Sequence, residues 1–209
     1  MSITVKAYPV GQLETNCYLL TDGEGNAMLV DPGAEPDRLL HAVEESGSTL
    51  TTILLTHAHF DHIGAAAALQ RRTGAAVYLH EADAPLLTDG MRNLSLAFAR
   101  RACDPPHPDR LLRDGDVFSF GGSDFYVIHT PGHTEGSVCY HTDGILLSGD
   151  TLFAQSIGRT DFPGGDLRRM EESLARLAAL QGDAAVYPGH GPESTLCYEK
   201  QHNPYLNDK

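Results

Sequence analysis

Five short apolar runs in this chain each end in a residue that can bind a metal ion. Ile53-Leu54-Leu55-Thr56 leads into His57-Ala58-His59-Phe60-Asp61-His62. Phe125 to His129 leads into Thr130-Pro131-Gly132-His133, and Ile145-Leu146-Leu147-Ser148 leads into Gly149-Asp150. Ala184-Ala185-Val186-Tyr187 leads into Pro188-Gly189-His190, and Met28-Leu29-Val30 into Asp31-Pro32-Gly33. Runs of this length read as buried strands. Strands of one sheet that stop at a common edge would gather these imidazoles and carboxylates at one rim.

Strand and helix signals alternate around these runs. Ile3 to Tyr8, Asn16 to Leu20 and Ala27 to Val30 read as strands, with Asp22-Gly23 and Glu24-Gly25 as turns. A helix is expected from Glu35 to Glu45, with Leu39, Leu40 and Val43 on its buried side. A second, rich in alanine, is expected from His62 to Arg72 and closed by Gly74. Ala76 to Leu79 reads as a strand, and Glu81 opens a helical patch. Strands resume at Val117 to Phe120, Phe125 to His129, Val138 to His141 and Ile145 to Ser148. Asp166 is placed to cap a helix reaching Leu180, before the strand at Ala184. The strands fall into two groups with helices to cover each, which predicts a layered α/β sandwich. Residues 86–113 break the rhythm, with a helical stretch around Asn93 to Arg101 and then Asp104-Pro105-Pro106-His107-Pro108-Asp109. A connection this long is expected to be a lid or a packed surface excursion.

The 209 residues fit one domain with a substantial core, and no repeat or linker divides them. Hydrophobic content of 41% and charged content of 21% describe a soluble globular chain. Its longest apolar stretch, Ile63 to Leu69, falls well short of the ~20 residues a membrane helix needs. The first ten residues alternate like a strand and show no signal peptide, so a cytoplasmic location is expected. Cys17, Cys103, Cys139 and Cys197 form no CxxC pair and read as free thiols. A formal net charge of −13 disfavours nucleic acid as a partner. Arg71-Arg72, Arg100-Arg101 and Arg168-Arg169 read as solvated faces.

Extended backbone over 57–61 would put His57, His59 and Asp61 on one side. A helix opening at His62 would bring its imidazole in from the other direction. Such a segment offers two ligands to one ion and two to a second. Imidazole and carboxylate without thiolate suit zinc, iron(II) or manganese. Three histidines and an aspartate within six residues after an apolar strand are hard to explain as solvent-facing groups. His133 and His190 each follow Pro-Gly, which turns the chain sharply and aims the next side chain. Asp150 sits at a strand end, which favours a metal over a helix cap. Asp31 reads as an outer partner steadying the histidine loop. His41, His80, His107, His129, His141 and His202 read as structural.

In this order the residues resemble the metallo-β-lactamase superfamily. His57-Ala58-His59-Phe60-Asp61-His62 matches its HxHxDH signature, and His133, Asp150 and His190 fall where its later motifs do. The resemblance spans essentially the whole chain. Within the superfamily the chain is most similar to small glyoxalase-II-like hydrolases. Gly149 to Phe153, Ile157 to Gly165, Pro188 to Pro192 and the tail with Thr195, Glu199 and Asn203-Pro204-Tyr205-Leu206 carry that likeness. The resemblance implies a single-domain αββα sandwich with metals at one edge. It implies that His57, His59 and His133 hold a first ion, that Asp61, His62 and His190 hold a second, and that Asp150 bridges. One or two divalent ions are implied, zinc first and iron or manganese as the others. The implied reaction is hydrolysis of a small-molecule thioester such as S-lactoylglutathione, with Asp61 or Asp150 orienting the attacking hydroxide. A thiolate, with a solution pKa near ~8.5, leaves without prior protonation.

Two departures qualify the likeness. Full-length glyoxalase II carries a C-terminal helical domain that grips glutathione, and these residues hold none. This separates an expectation of thioester hydrolysis from one of glutathione specificity. Gln155 stands where related sequences often have a small residue, and is expected to reshape the pocket. Arg159 and Asp161 are expected to brace a loop as an ion pair, with substrate contact by Arg159 as the alternative.

Persulfide dioxygenases, which are iron-dependent oxidoreductases, also resemble the chain through Gly158-Arg159-Thr160-Asp161-Phe162 and an Asn-Pro tail. The chain has Ile157 where they tend to have cysteine. It reads Pro188-Gly189-His190-Gly191-Pro192 rather than Pro-Ala-His-Asp-Tyr. The hydrolase is therefore the leading reading. A β-lactamase is set aside because the bridging aspartate is not their pattern and no secretion signal is seen, and a nuclease is set aside on charge.

Overall fold

The computed structural model describes residues 3–206. β1 (Thr4–Val10), β2 (Thr15–Thr21) and β3 (Asn26–Val30) form an antiparallel meander. α1 (Pro36–Glu45) crosses to β4 (Thr49–Leu54), which lies parallel to β3. α2 (Phe60–Ile63) and α3 (Ala66–Thr73) lead to β5 (Ala76–His80), and β6 (Arg110–Leu112) completes this first six-stranded sheet. β7 (Val117–Phe120), β8 (Ser123–His129), β9 (Val138–Thr142) and β10 (Ile145–Gly149) begin an antiparallel second sheet. A small hairpin of β11 (Leu152–Phe153) and β12 (Ser156–Ile157) follows, then α4 (Leu167–Ala178). β13 (Ala185–Pro188) pairs in parallel with β10, β14 (Ser194–Thr195) pairs with β13, and α5 (Leu196–His202) follows.

The side chains show why the central strands are apolar throughout. Leu19, Leu29 and Ile53 pack with Leu39, Val43 and Leu69 of the helices, while Leu20, Met28, Val30 and Leu54 pack with the second sheet. In that second sheet Tyr140 and Leu147 join the core between the sheets. Cys139 and Leu146 pack with Met170, Leu174 and Leu177 of α4. A strand covered on both faces needs apolar residues at consecutive positions, so simple alternation is lost. The layers are α, β, β, α, a four-layer sandwich. Leu54 is fully buried, and truncation of such a leucine to alanine costs about 2–5 kcal/mol. Asp166 Oδ1 accepts from Arg169 N at 3.0 Å and caps α4.

Several expectations need correction. The strand ends that carry the ligand candidates belong to both sheets, β3 and β4 to one and β8, β10 and β13 to the other. The expected single helix from His62 to Arg72 is two helices. The loop at Pro32-Gly33 crosses at the break, where Ala65 N donates to Pro32 O at 2.9 Å. A Cβ on Gly64 would stand 2.3 Å from Gly33 O, so only glycine permits the crossing. The first of these helices starts at Phe60, so Asp61 lies in a helical turn rather than on extended backbone.

Residues 86–113 are largely packed. Leu86, Leu87, Asn93 and Leu112 are buried, and β6 is an edge strand of the first sheet. A single π turn over Ser95–Ala99 replaces the expected helix, leaving Met91, Leu96 and Phe98 exposed at the tip. The four cysteines are free thiols. Among the described residues no helix is long and apolar enough to cross a membrane.

Candidate metal centre

The two sheets are joined along the rim where the ligand candidates sit. Asn16 N donates to Gly189 O at 2.7 Å and Tyr18 OH to Pro188 O at 2.8 Å, tying β2 to the end of β13. Val138 N donates to Thr56 O at 3.0 Å, tying β9 to the end of β4. Backbone groups that leave one sheet thus find partners in the other. The rim brings together all seven residues named from the sequence, in three overlapping groups whose ligand atoms lie within 4.8 Å of one another. These are His57, His59 and His133; His57, His62 and Asp150; and Asp61, His62 and His190.

Asp150 touches both halves. Its Oδ1 lies 3.4 Å from His62 Nε2, and its Oδ2 lies 3.4 Å from His133 Nε2 and 3.6 Å from His190 Nε2. Asp61 Oδ2 lies 3.3 Å from His190 Nε2 and 3.5 Å from His62 Nε2. His59 directs Nδ1 at His133 Nε2, 2.9 Å away.

The unsatisfied atoms point to what the cluster can hold. Five buried side-chain polar atoms among the described residues lack a hydrogen-bond partner, and four of them are His57 Nε2, His59 Nε2, His62 Nε2 and Asp150 Oδ1. Buried polar atoms left this way are costly unless a partner is supplied. A divalent cation fits this donor set of imidazole and carboxylate.

The far nitrogen of four rings is already spoken for. His57 Nδ1 lies 3.1 Å from Thr56 Oγ1, and His62 Nδ1 lies 2.9 Å from Asp31 Oδ2. His133 Nδ1 donates to Arg159 O at 2.7 Å, and His190 Nδ1 to Leu13 O at 3.2 Å. A ring that donates from Nδ1 presents its lone pair at Nε2, which fixes the tautomer a ligand needs. Asp31 also accepts from Thr56 N at 2.8 Å and Thr56 Oγ1 at 2.6 Å.

Electrostatics divides the histidines. Burial, with neighbouring imidazoles adding to it, holds His57 and His59 well below the usual histidine range, so both are neutral donors. Burial also pulls His62 down, but Asp61, Asp150 and Asp31 together outweigh it and raise its pKa to about 10. The field that keeps a proton there equally favours a bound cation. Asp61 is itself held below the carboxylate range, because His62 and His190 outweigh its burial.

Other residues support the cluster without any local signal in the sequence. Thr15 Oγ1 donates to Asp61 Oδ2 at 2.9 Å. The buried Asp83 accepts from Ala58 N at 2.9 Å, Thr134 Oγ1 at 2.9 Å and Gly136 N at 2.7 Å. It thereby ties the His57 loop to the His133 loop. Glycine before His190 does have a signal, the Pro-Gly pair. A Cβ on Gly189 would stand 2.2 Å from Asp150 Oδ1.

A cleft of about 410 Å³ opens on the cluster. Leu13, Phe60, Leu94, Phe98, Phe153, Ile157 and Phe162 wall it, with Ser156 and Arg159. Arg159 binds both oxygens of Asp161 at 2.7 Å and lies 3.8 Å over the Phe162 ring. Gln155, expected to reshape the pocket, instead donates to Tyr198 OH at 3.1 Å and does not line the cleft. Its backbone N bonds Glu199, and that draws the side chain toward α5. His129 stacks on His80 at 4.1 Å and bonds Glu135 O, apart from the cluster.

The model of the metallo-β-lactamase superfamily matches residues 10–190. The chain belongs to this superfamily. It is 35% identical to the hydroxyacylglutathione hydrolase GloC of Haemophilus influenzae, across 99% of this chain and 100% of that protein. Among solved structures, the BLEG-1 B3 metallo-β-lactamase shares 39% identity with a TM-score of 0.93, covering 98% of this chain and 100% of that one. TTHA1623 in a di-iron-bound form shares 41% identity with a TM-score of 0.86, covering 97% and 100%. The chain therefore has a hydrolase fold with a His/Asp cluster that can bind one or two metal ions.

Proposed function

We propose that this protein is a metal-dependent thioesterase acting on acyl thioesters of small thiols, S-lactoylglutathione among them. The composition of the cleft carries this reading. Apart from the ligand candidates, its polar lining side chains among the described residues are Ser156 and Arg159, and Arg159 is bound to Asp161. Apart from the ligand candidates, no acid stands in the cleft to protonate a departing amide nitrogen, so the lining favours a leaving group that needs none. A thiolate needs no such acid, since its solution pKa is about 8.5.

His57, His59 and His133 would hold one ion, Asp61, His62 and His190 a second, with Asp150 between them. Zinc, iron or manganese held there would supply Lewis acidity, which lowers the pKa of water and polarises a carbonyl. Asp61, steadied by Thr15, and Asp150 supply the negative charge that the cations need and accept the hydrogen bonds that orient the water. Phe162 and Phe98 exclude bulk solvent from one side. The likeness to GloC supports the substrate class, and the free cysteines support a cytoplasmic setting.

The test is one assay with three arms on metal-loaded protein. Free thiol should appear from S-lactoylglutathione under nitrogen, with one to two metal equivalents per chain. Oxygen uptake with glutathione persulfide and no thiol release would make the protein a dioxygenase. Faster opening of a chromogenic cephalosporin than of any thioester would make it a β-lactamase.

A further inference from the structure

The cleft has two apolar walls, and they stand over different halves of the cluster. Phe162 lies edge-on to His59 and His133, with ring centroids 5.9 and 6.5 Å away. Phe98 meets Phe162 at 5.9 Å and stacks on Phe60 at 6.0 Å, the latter pair inclined by 7°. On the opposite side Phe153 stands 6.1 Å from His190. That side is the wetter one, since the side chain of His190 is 28% exposed and that of His133 is 3% exposed.

The aromatic wall is held in place from several directions. Phe98 rides on the π turn Ser95–Ala99, bracketed by Leu94 at φ +68° and Arg100 at φ +56°. Non-glycine residues in the left-handed region persist only where their surroundings impose it. Here Asn93 supplies the constraint. Its carbonyl accepts from Phe60 N at 2.9 Å, its Nδ2 donates to Leu86 O at 2.9 Å, and its Oδ1 accepts from Ser95 N at 3.0 Å. The result is a phenyl ring left 53% exposed at the cleft mouth. Apolar surface held open beside a reactive centre favours an apolar ligand group.

We propose that Phe60, Phe98 and Phe162 form the acyl subsite, which selects thioesters whose acyl group carries an apolar chain or ring. The proposal rests on the thioesterase reading above. The thiol half lies on the wetter side and departs past His190 and Phe153. Water adds its oxygen to the acyl carbon, and the C–S bond breaks with its electron pair on sulfur. The products are a carboxylate, a thiol and one proton. Arg159 is the one lysine or arginine among the described cleft-lining residues, and Asp161 neutralises it. With a net charge of −13 on the chain, a polyanionic carrier thiol finds no unpaired cation there. The thiol is therefore uncharged or singly charged.

The experiment measures binding of acetate, butyrate and hexanoate to the metal-loaded protein by calorimetry. In parallel, kcat/KM is measured for the matching N-acetylcysteamine thioesters. Full burial of a methylene is worth about four-fold in affinity, and a half-open cleft about two-fold. Hexanoate should therefore bind about 16-fold more tightly than acetate. Phe98→Ala should cut that ratio below about four-fold, and Phe98→Leu should restore most of it. Leu13 belongs to the other side, where its carbonyl accepts from His190 Nδ1, so Leu13→Ala should leave the ratio as in the wild type. A ratio near one, or a ratio lost in Leu13→Ala but kept in Phe98→Ala, overturns the subsite. If the carboxylates show the length dependence but no thioester is cleaved, the subsite stands and the thioesterase reading falls. Thioester cleavage indifferent to chain length, with equally indifferent carboxylate binding, has the opposite meaning.

Discussion

Asp31 Oδ2 lies 2.9 Å from His62 Nδ1, and both side chains are buried. The carboxylate holds the Nδ1 edge of the ring and so aims Nε2 at the cluster. Asp31 also adopts φ +51°, a conformation that aspartate and asparagine tolerate better than most residues. Asp31→Asn should keep the backbone and lose the charge behind His62. Metal affinity, read by competition with a chelator, should fall about 10–100-fold with native circular dichroism. Asp31→Ala should lower the melting temperature further, because it adds backbone strain. Unchanged affinity in Asp31→Asn would show that the contact does not tune the site.

Asp150 offers its two oxygens to different halves of the cluster, 3.4 Å from His62 Nε2 and 3.4 Å from His133 Nε2. Asparagine retains the shape and one oxygen without the charge. Asp150→Asn should fold normally, bind at most one ion tightly and lose at least ~100-fold in turnover. His129→Ala is the control and should keep its metal, since His129 contacts His80 and Glu135 instead. Metal and near-normal turnover in Asp150→Asn would mean the centre lies on other residues.

Gly189 tests the packing around the ligand candidates without replacing one. An added Cβ would meet Asp150 Oδ1 at 2.2 Å and His62 Cε1 at 2.8 Å. Gly189→Ala should therefore displace both groups and weaken metal binding by at least ~10-fold, a loss typical of disturbed ligand orientation. Gly191→Ala makes the contrast. Nothing lies near its Cβ, but φ is +76°, so stability should fall by about 1–2 kcal/mol while metal affinity holds. Equal metal affinities in the two variants would refute the steric account.

Stability at low pH should depend on Asp114. Burial alone would raise its pKa, but the His129 amide and the Arg176 guanidinium outweigh that and lower it. A carboxylate depressed in the folded state adds stability above its unfolded pKa of about 3.9, and that stability is lost as pH falls through the folded value. The melting temperature should thus fall on acidification below about pH 4, and fall less steeply in Asp114→Asn. Added salt should shrink the difference, since the pair is half exposed. Parallel profiles for the two proteins would remove Asp114 from the account.

Which histidines and aspartates meet at the rim was legible in the order of residues. Strands covered on both faces must be apolar at consecutive positions, so the first polar residue after Leu55 or Leu147 has to lie near a rim. The Pro-Gly pairs before His133 and His190 marked sharp turns in the same way. These are properties of neighbouring residues, and a sequence displays them directly. The tertiary structure alone decided that the rim is shared by two sheets, because pairing between β2 and the end of β13 joins residues far apart in the chain. It alone showed that α2 starts at Phe60 and breaks at Gly64, where the Pro32-Gly33 loop crosses. Thr15 and Asp83 bond partners 46 and 51 residues away, and nothing in their local sequence marks them. Periodicity reports which face of an element is buried. Which element lies against that face is set by how the layers pack, and consecutive residues carry no trace of it.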